Sequence, residues 1–383
     1  MRKACIIILL ILSLVLTVSC SKSGSGDVIK IGVNYELSGG VATYGQSSVE
    51  GIELAIEQIN EAGGVKGKKI ELVKYDSKSE PSEATTLATR LMTQDGVVAV
   101  LGPATSGSFM ATIPVANQNK VPVVSGSATA DIVTVDDSGK VQEYAFRICF
   151  TDSQQGEGIT RFALENLSCR NAVIIMDSSS DYATGLADSF ERVFTEGGGT
   201  IVAKEAYVAG DTDFNAVLTS IKNKDFDVIF IPGYYNEAGL IIKQARTQGI
   251  DVPILGADGF DSPVLVDLAG ADALNNVYFS NHYSSADTSA VVSDFIDSFK
   301  EKYNKEPDAF NALGYDLARF VVDAIERAEK IDGESVKAAL EATKDFEGVT
   351  GTFSIDENHN VIKEIIVIEL KDGKQHATHR VSN

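Results

Sequence analysis

Small polar residues follow two apolar segments of the chain, at "LGPATSGS" (101–108) and "SGSATA" (125–130). Residues of this size let a ligand approach main-chain N–H and C=O groups, and a helix N-terminus favours an anion such as a carboxylate. The hydroxyls of Ser106 and Thr129 would add hydrogen-bond donors. Surface turns, or capping of the following helix by Ser106, would explain the same residues without a ligand.

Acceptors for a positively charged group occur in the same pattern. The main-chain carbonyls of Ser127 or Ala128 could accept from an ammonium group. The stretch "GADGF" (256–260) places Asp258 directly after another apolar segment, where its carboxylate would either face a ligand or close a turn. These residue types suit a ligand that carries both an ammonium and a carboxylate.

Four tyrosines lie where they could cover such a ligand: Tyr44, Tyr182, Tyr234 and Tyr235. Tyrosine combines apolar area with a polar tip, so it can pack on a ligand and still donate a hydrogen bond. Packing in a half-buried position explains most tyrosines equally well. Their number alone therefore does not identify a site.

Motifs for catalysis and metal binding are missing from the sequence. There is no G-x-S-x-G elbow, no Walker A motif and no G-x-G-x-x-G after a first strand. Of the four histidines, only His376 and His379 are spaced like metal ligands, and a frayed polar tail accounts for that pair. We therefore expect neither an enzyme nor a metal or cofactor site.

The elements that must position these residues alternate along the chain. Buried strands alternating with amphipathic helices are typical of parallel sheets covered on both faces, and the series starts again after residue 150. The sequence therefore predicts two α/β lobes. The patterns predict strands at 28–35, 69–76, 97–103, 171–177, 225–233 and 252–258, and helices at 44–64, 81–94, 181–196, 213–223 and 237–248.

Charge and length restrict the class of protein further. The chain has 383 residues, which is enough for two or three domains. Its formal net charge is −21, and no long cluster of lysine and arginine interrupts it. This acidity argues against binding of nucleic acid, which normally needs a basic face.

The first twenty residues have the features of a bacterial lipoprotein signal. Arg2 and Lys3 precede an apolar run too short to span a membrane comfortably, and "LTVSC" resembles a lipobox that ends at Cys20. The polar stretch 21–27 resembles a flexible tether. We expect residues 1–20 to be processed at a lipidated Cys20, and the protein to be extracytoplasmic and anchored to a membrane.

Two cysteines remain in the body of the chain, Cys149 and Cys169. An exported protein can form a disulfide, but both residues lie in or beside apolar segments. A disulfide and two buried free thiols are both compatible with the sequence.

The order of the motifs resembles one family, the periplasmic leucine/isoleucine/valine-binding proteins. The segment 29–84, which begins "IKIGVNYELSGG", carries the resemblance together with six later motifs. These are "LGPATSGS", "SGSATA", "DSSSDYATG", "PGYYNEAG", "LGADGF" and "FNALGYD". The resemblance runs from about residue 28 to near residue 370, and the full set in order is specific.

The resemblance implies a type I periplasmic binding protein fold, in which two Rossmann-like lobes with parallel sheets are joined by a three-strand hinge. It divides the chain into a first lobe of 28–150 plus 283–349 and a second lobe of 151–282 plus 350–383. It also implies a solute-binding protein of an ABC importer that delivers an amino acid to a membrane permease. A monomer is expected.

Individual roles follow where the motifs align. The resemblance implies that Ser106 and Thr129 bind the carboxylate of the ligand, and that Ser127 and Ala128 offer main-chain groups. Other ligand contacts come from Tyr44, Tyr182, Tyr234, Asp258 and Phe310. Asp258 stands where well-known members of the family have a glutamate that binds the ammonium group of the ligand. Its side chain is one methylene shorter, so the position of the ammonium and the ligand itself both stay open here.

The expected ligand is a branched-chain or other aliphatic amino acid. Two other functions stay open. The same fold can be a sensor domain for amino acids, amides or urea. A hydrolase acting on amino-acid derivatives is the least favoured hypothesis.

Overall fold

Strands alternate with helices over residues 28–381, which are the residues that the computed structural model describes. The predicted lipoprotein signal, Cys20 and the predicted tether lie outside this range. The strands are β1 Val28–Tyr35, β2 Lys69–Asp76, β3 Val100–Leu101, β4 Val123–Ser125, β5 Ala145–Arg147, β6 Asn171–Asp177, β7 Thr200–Tyr207, β8 Val228–Phe230, β9 Ile254–Gly256, β10 Val277–Asn281, β11 Phe346–Gly348, β12 Gly351–Phe353, β13 Ile365–Lys371 and β14 Lys374–Val381.

The α-helices cover the sheets and are all shorter than about 30 Å. They are α1 Ala42–Glu61, α2 Pro81–Arg90, α3 Ser106–Asn119, α4 Asp152–Arg161, α5 Asp181–Glu196, α6 Asn215–Ile221, α7 Tyr235–Thr247, α8 Pro263–Ala269, α9 Ala290–Tyr303, α10 Ala309–Arg327 and α11 Gly333–Glu341.

The first lobe is built on a five-stranded sheet in the order β2-β1-β3-β4-β5, and every neighbouring pair is parallel. Helices α1 and α10 cross closely on this lobe. A Cβ at Gly51 would lie 2.0 Å from the carbonyl oxygen of Asn311, and a Cβ at Gly314 would lie 2.0 Å from that of Ser48. Only glycine permits this approach, which brings the N-terminal ends of the two helices together.

The second lobe contains a seven-stranded sheet in the order β14-β13-β10-β9-β8-β6-β7. Five of its strands are parallel, whereas β13 pairs antiparallel with both β10 and β14. The predicted α/β class with two lobes is confirmed, and the predicted residue boundaries of the lobes stay a prediction.

The chain passes between the lobes three times. It leaves the first sheet after β5, returns from the second sheet after β10, and crosses again between β12 and β13. Helix α4 packs on α5 in the second lobe, and α9 and α10 pack on α1 in the first. These three crossing segments connect two otherwise separate cores.

The C-terminal tail differs from the prediction. Residues 374–381, which contain His376 and His379, form the paired strand β14 and are not frayed. The pairing satisfies main-chain groups along the outer edge of β13, which would otherwise be open.

Candidate functional site

A small cavity lies between the two lobes, beyond the carboxyl ends of the strands. About 240 Å³ of space lies among its lining residues, part of it open to solvent. In open α/β sheets, ligands bind at this edge. Seven of the predicted site residues line the cavity, together with Ala104, Thr105 and Gly259: Tyr44, Ser106, Ser127, Tyr182, Tyr234, Asp258 and Phe310.

The wall that the first lobe contributes starts where helix α3 begins, and a residue that sequence reasoning missed supports it. The carboxylate of Glu36, which is fully buried, accepts from the N–H groups of Ala104 at 3.0 Å and Thr105 at 3.1 Å. It also accepts from the Thr105 hydroxyl at 2.8 Å. Glu36 directly follows β1, but the N–H groups that it accepts from follow the parallel neighbour β3. Its role therefore could not be predicted from the local sequence around it.

Ser106 connects the two small-residue segments. Its Oγ accepts from the N–H of Ala130 at 3.1 Å, and it does not cap its own helix. Capping, the alternative explanation for this serine, is therefore wrong. Since Ala130 uses the oxygen as an acceptor, the Ser106 O–H is the group that can donate into the cavity. Ser127 donates its hydroxyl to the carbonyl of Ala104 at 3.0 Å.

Ala128 and Thr129 lie behind this wall, and neither is among the described residues that line the cavity. The Ala128 N–H donates to Ser125 Oγ, and its carbonyl accepts from Arg147 Nη1 and the Cys149 thiol. The Thr129 hydroxyl is buried, and its oxygen has no hydrogen-bond partner among the described residues. Their predicted contacts with a ligand stay a prediction.

The second lobe contributes a carboxylate. Asp258 follows β9 in a short 3₁₀ turn and is 3% exposed. Its Oδ1 accepts from the Tyr182 hydroxyl at 2.7 Å and from Gln155 Nε2 at 3.1 Å, and its Oδ2 lies 3.2 Å from His282 Nε2. Asp258 is therefore held by three side chains, and it is not simply a turn residue.

Gln155 organises this wall from behind. Besides its bond to Asp258 Oδ1, its Oε1 accepts from the Asp258 main-chain N–H at 3.2 Å and from the Ser280 hydroxyl at 2.8 Å. The side chain is fully buried on helix α4. The only local signal is its place in the first turn of a helix that directly follows a crossing segment.

His282 was also missed, because the sequence analysis did not predict the strand β10 that precedes it. Its ring stacks on Phe150, with the centroids 3.6 Å apart. Burial lowers the pKa of His282, and the hydrogen bond with Asp258 opposes that shift. A neutral imidazole can donate from Nε2 to Asp258, so the carboxylate is oriented without a formal positive charge beside it.

Aromatic rings close the cavity from both lobes. Tyr44 stacks on Phe310 with centroids 4.4 Å apart, and Tyr182 stacks on Tyr234 at 5.1 Å. The Tyr44 hydroxyl donates across the cleft to the carbonyl of Gly259 at 2.5 Å. Burial raises the pKa of both Tyr44 and Tyr182 well above the ordinary value, so both phenols keep their protons and act as donors.

A second carboxylate contact joins the lobes beside the cavity. Asp261 of the second lobe accepts from the N–H of Ala309 at 2.9 Å, at the start of helix α10. The neighbouring Asp308 accepts from the Ser47 hydroxyl at 2.6 Å. Burial, followed by the nearby charge of Asp261, raises the pKa of Asp308 to about 7.

Three further features of residues 28–381 bear on the sequence predictions. Cys149 and Cys169 are both buried and form no disulfide, which decides between the two alternatives in favour of free thiols. No group of histidine, cysteine and carboxylate side chains within this range could hold a metal ion. None of the helices in the same range combines the length and apolar character that crossing a membrane requires.

Comparison with known proteins agrees with this architecture. The family model described as periplasmic binding protein matches residues 28–375. The chain belongs to the periplasmic binding protein family. The predicted family is confirmed, and the protein is a solute-binding protein by fold and by family.

Three similar proteins illustrate what members of the periplasmic binding protein family bind. A Leu/Ile/Val-binding protein homolog from Brucella melitensis is 30% identical over 90% of this chain and 92% of its own. The branched-chain amino acid transporter substrate binding protein LivJ from Streptococcus pneumoniae, in complex with isoleucine, is 45% identical with a TM-score of 0.87, covering 92% of this chain and 99% of that one. An ABC transporter solute binding protein from R. palustris, in complex with benzoate, is 26% identical with a TM-score of 0.81, covering 92% and 96%.

Proposed function

We propose that the protein is the solute receptor of an ABC importer and binds a zwitterionic aliphatic amino acid between its lobes. The observation that carries this proposal is the opposition of two walls across one small cavity. One wall presents a serine hydroxyl and small-residue main chain, and the other presents the carboxylate of Asp258. A zwitterion is complementary to both walls at once.

The ammonium end of the ligand would bind at Asp258. An ammonium is expensive to bury unless it is paired, and Asp258 is 3% exposed in the closed lobes. Its carboxylate is already oriented by Tyr182, Gln155 and His282, so little reorganisation would accompany binding. Rings of Tyr182 and Tyr234 add faces that attract a cation.

The carboxylate end would bind at the first lobe. Glu36 already uses the N–H groups of Ala104 and Thr105, so the ligand carboxylate is left with the Ser106 hydroxyl and the 127–130 segment. Thr129 belongs to this segment, and its buried hydroxyl, which lies beside the Asp152 carboxyl, would add a donor.

The side chain of the ligand would lie against Tyr44 and Phe310, whose stacked rings form an apolar surface. The cavity is small and is lined by aromatic rings on this side, which suits a compact apolar side chain. The isoleucine and Leu/Ile/Val ligands named for two of the similar proteins support an aliphatic side chain. Closing the lobes would remove water from both charged ends and strengthen their interactions.

Calorimetric titration of the purified protein tests this proposal. Leucine, isoleucine, valine and alanine should bind, whereas benzoate and urea should bind far more weakly, because benzoate lacks the ammonium group and urea lacks both charged groups. Native mass spectrometry before any dialysis should show a co-purified amino acid. Benzoate or urea binding as tightly as leucine would overturn the zwitterion assignment.

The location of the receptor is part of the same proposal. Cys20 would carry lipid, residues 21–27 would tether the lobes to the outer face of a membrane, and the lobes would meet the permease there. Replacing Cys20 with serine should release the protein from the membrane fraction. Ser21→Ala is the control and should leave it bound. A Cys20→Ser protein that stays in the membrane fraction would contradict the anchor.

A further inference from the structure

Arg147 is a fully buried cation whose hydrogen bonds all go to neutral oxygens. It lies at the end of β5 and is 0% exposed. Its Nη1 donates to the carbonyls of Ala128, Thr129 and Ala130 at 3.2, 2.8 and 2.8 Å. The remaining donors bind the Asp131 carbonyl, the Thr134 hydroxyl and Asn360 Oδ1, at 3.1, 3.1 and 2.6 Å.

This charge lacks a close counter-ion. None of the ion pairs within 4.0 Å found among residues 28–381 includes Arg147. Asp131, Asp152 and Asp356 influence it only from farther away, and burial raises the pKa of Asp152 well above the ordinary value, toward the neutral form. A buried cation that is stabilised only by dipoles can still attract an anion placed nearby.

The segment that Arg147 holds lies directly behind the first-lobe wall of the candidate site. The peptide unit between Thr129 and Ala130 shows the geometry directly. Its C=O points to Arg147, and its N–H donates to Ser106 Oγ, which lines the cavity. In a trans peptide the C=O and N–H groups point in opposite directions, so Arg147 turns the N–H side of this segment toward the cavity.

We infer that Arg147 is a positioning residue for the carboxylate of the ligand and supplies its remote counter-charge through the 128–131 segment. The inference rests on the proposed amino-acid ligand. Arg147 fixes the orientation of the peptide dipoles before the ligand arrives, and the ligand carboxylate brings the negative charge that the buried guanidinium lacks. The residue itself touches no ligand atom.

The same residue connects the site to the crossing segments. Asn360, which accepts from Arg147 Nε, lies on the third crossing segment, and the Arg147 main-chain N–H donates to the carbonyl of His359 at 3.4 Å. Arg147 itself directly precedes the first crossing segment. A ligand carboxylate would therefore act on a group that is bonded to two of the three connections between the lobes.

Leucine and leucinamide distinguish this role from a purely structural one. Both carry the ammonium and the same side chain, but only leucine carries a carboxylate. The readout is the ratio of the two dissociation constants, measured by calorimetry for the parent and each variant. A general loss of stability lowers both affinities and leaves the ratio unchanged, whereas loss of the counter-charge weakens leucine selectively.

Asn360→Asp is the main variant, because it keeps Arg147 and its acceptor oxygen in place. The new carboxylate neutralises the guanidinium from the hinge side. We expect leucine to bind about tenfold more weakly, and leucinamide to bind as tightly as to the parent or more tightly. Arg147→Met should reduce the preference for leucine at least as much, by about 10- to 100-fold.

Arg246→Met is the matched control. Arg246 also donates to main-chain carbonyls, those of Ile250 at 2.7 Å and Val252 at 2.9 Å, but it lies in the second lobe away from the cavity. The ratio of the dissociation constants for leucine and leucinamide in Arg246→Met should equal that of the parent. An unchanged ratio in Asn360→Asp would overturn the inference even if Arg147→Met fails to fold. A parent protein that binds no amino acid would instead overturn the proposed function on which the inference rests.

Discussion

The two walls of the cleft are built in different ways. The first-lobe wall uses main-chain groups and short hydroxyls from two continuous segments, 101–108 and 125–130, with a cation hidden behind it. The second-lobe wall uses long side chains from helix α4, helix α5, the turn after β9 and the end of β10, which meet only in the folded lobe. One wall is preorganised by backbone geometry, and the other by a hydrogen-bond network around a single acid.

This difference predicts where a substitution is most harmful. Asp258→Asn keeps the shape of the second-lobe wall and removes its charge. Losing one partner of a buried pair costs about 3–5 kcal/mol, so amino-acid affinity should fall on the order of 100- to 1,000-fold or more. Calorimetric titration with leucine measures the effect.

Asp227→Asn serves as the control for that variant. Asp227 accepts from the main-chain N–H groups of Arg170 and Asn171 in the same lobe but outside the cavity. It should leave affinity unchanged. Parent-like binding by Asp258→Asn would contradict the role of the acid and favour a neutral amide ligand.

Gln155→Ala tests whether the second-lobe wall depends on its network. The substitution leaves the Asp258 main-chain N–H and the Ser280 hydroxyl without their acceptor, and each such loss costs about 1–3 kcal/mol. Affinity should fall on the order of 10- to 100-fold. In an Asp258→Asn background the same change should cost much less, because the two residues act together. Fully additive losses would show that Gln155 acts independently.

Proton uptake should link the two walls, because Asp261 and Asp308 approach each other only when the lobes close. The pKa of Asp308 is about 7 in the closed lobes, above the ordinary value of about 4 that we expect when the lobes are apart. The closed form is therefore favoured at low pH, and this contribution is lost as the pH rises through about 7.

Amino-acid affinity should accordingly weaken between about pH 4 and pH 7, by at most about tenfold per pH unit for one proton. Calorimetry in buffers of different ionisation enthalpy measures the proton directly. Asp308→Asn should abolish the dependence, because it removes the titrating carboxyl. Asp261→Asn should only reduce it, because burial, the larger cause of the raised pKa, remains. These expectations refer to leucine affinity measured across the same pH range, and the deciding variant is Asp308→Asn. A variant with the full pH dependence of the parent would show that another group is responsible.

Tyr44→Phe should have a smaller effect. It removes the hydrogen bond to the carbonyl of Gly259 but keeps the ring that stacks on Phe310. Affinity for leucine should fall about fivefold, with the order of preference among leucine, isoleucine, valine and alanine unchanged. Tyr75→Phe removes a hydroxyl that bonds to Asp95 in the same lobe and should have no effect on binding. If Tyr44→Phe changed the order of preference among the four amino acids, the Tyr44 hydroxyl itself would contribute to selection of the ligand side chain.

The redox state of the two cysteines should have no effect on ligand binding. Burial raises the pKa of the Cys149 thiol to about 12 and that of Cys169 to about 11, so neither reacts readily while the protein is folded. Reductant should leave leucine affinity unchanged, and peptide mass spectrometry should find both thiols alkylated only after unfolding. Loss of binding on reduction would contradict this expectation.

Sequence patterns predicted the residues that line the walls better than the residues that support them from behind. Ser106 and Ser127 were found because small residues after an apolar strand form a continuous local signal, and both line the cavity. Glu36, Gln155 and His282 carry no such signal. Their importance comes from contacts between residues 68, 103 and 24 positions apart, which local periodicity does not report.

The same physical limit applies to the fold. Long amphipathic helices such as Ala42–Glu61 were predicted within a few residues, because their periodicity repeats over several turns. Short strands such as Ala145–Arg147 were missed, because three buried residues contain no measurable period. The strand at 374–381 was taken for a tail, since its polar residues fit an exposed edge and only the pairing with β13 identifies it.

Several contacts between the lobes involve no ligand. Tyr44 reaches the carbonyl of Gly259, Tyr235 reaches that of Gly40 at 3.1 Å, and the hydroxyls of Thr43 and Ser262 meet at 3.1 Å. These bonds stabilise closed lobes whether the cleft is full or empty, so they increase affinity without telling a loaded receptor from an unloaded one. A transporter that responds to closed receptors would hydrolyse ATP at a basal rate to which these bonds contribute, together with the contact between Asp261 and Ala309. Only the ammonium and carboxylate groups of the bound ligand can raise the rate of ATP hydrolysis above this basal rate.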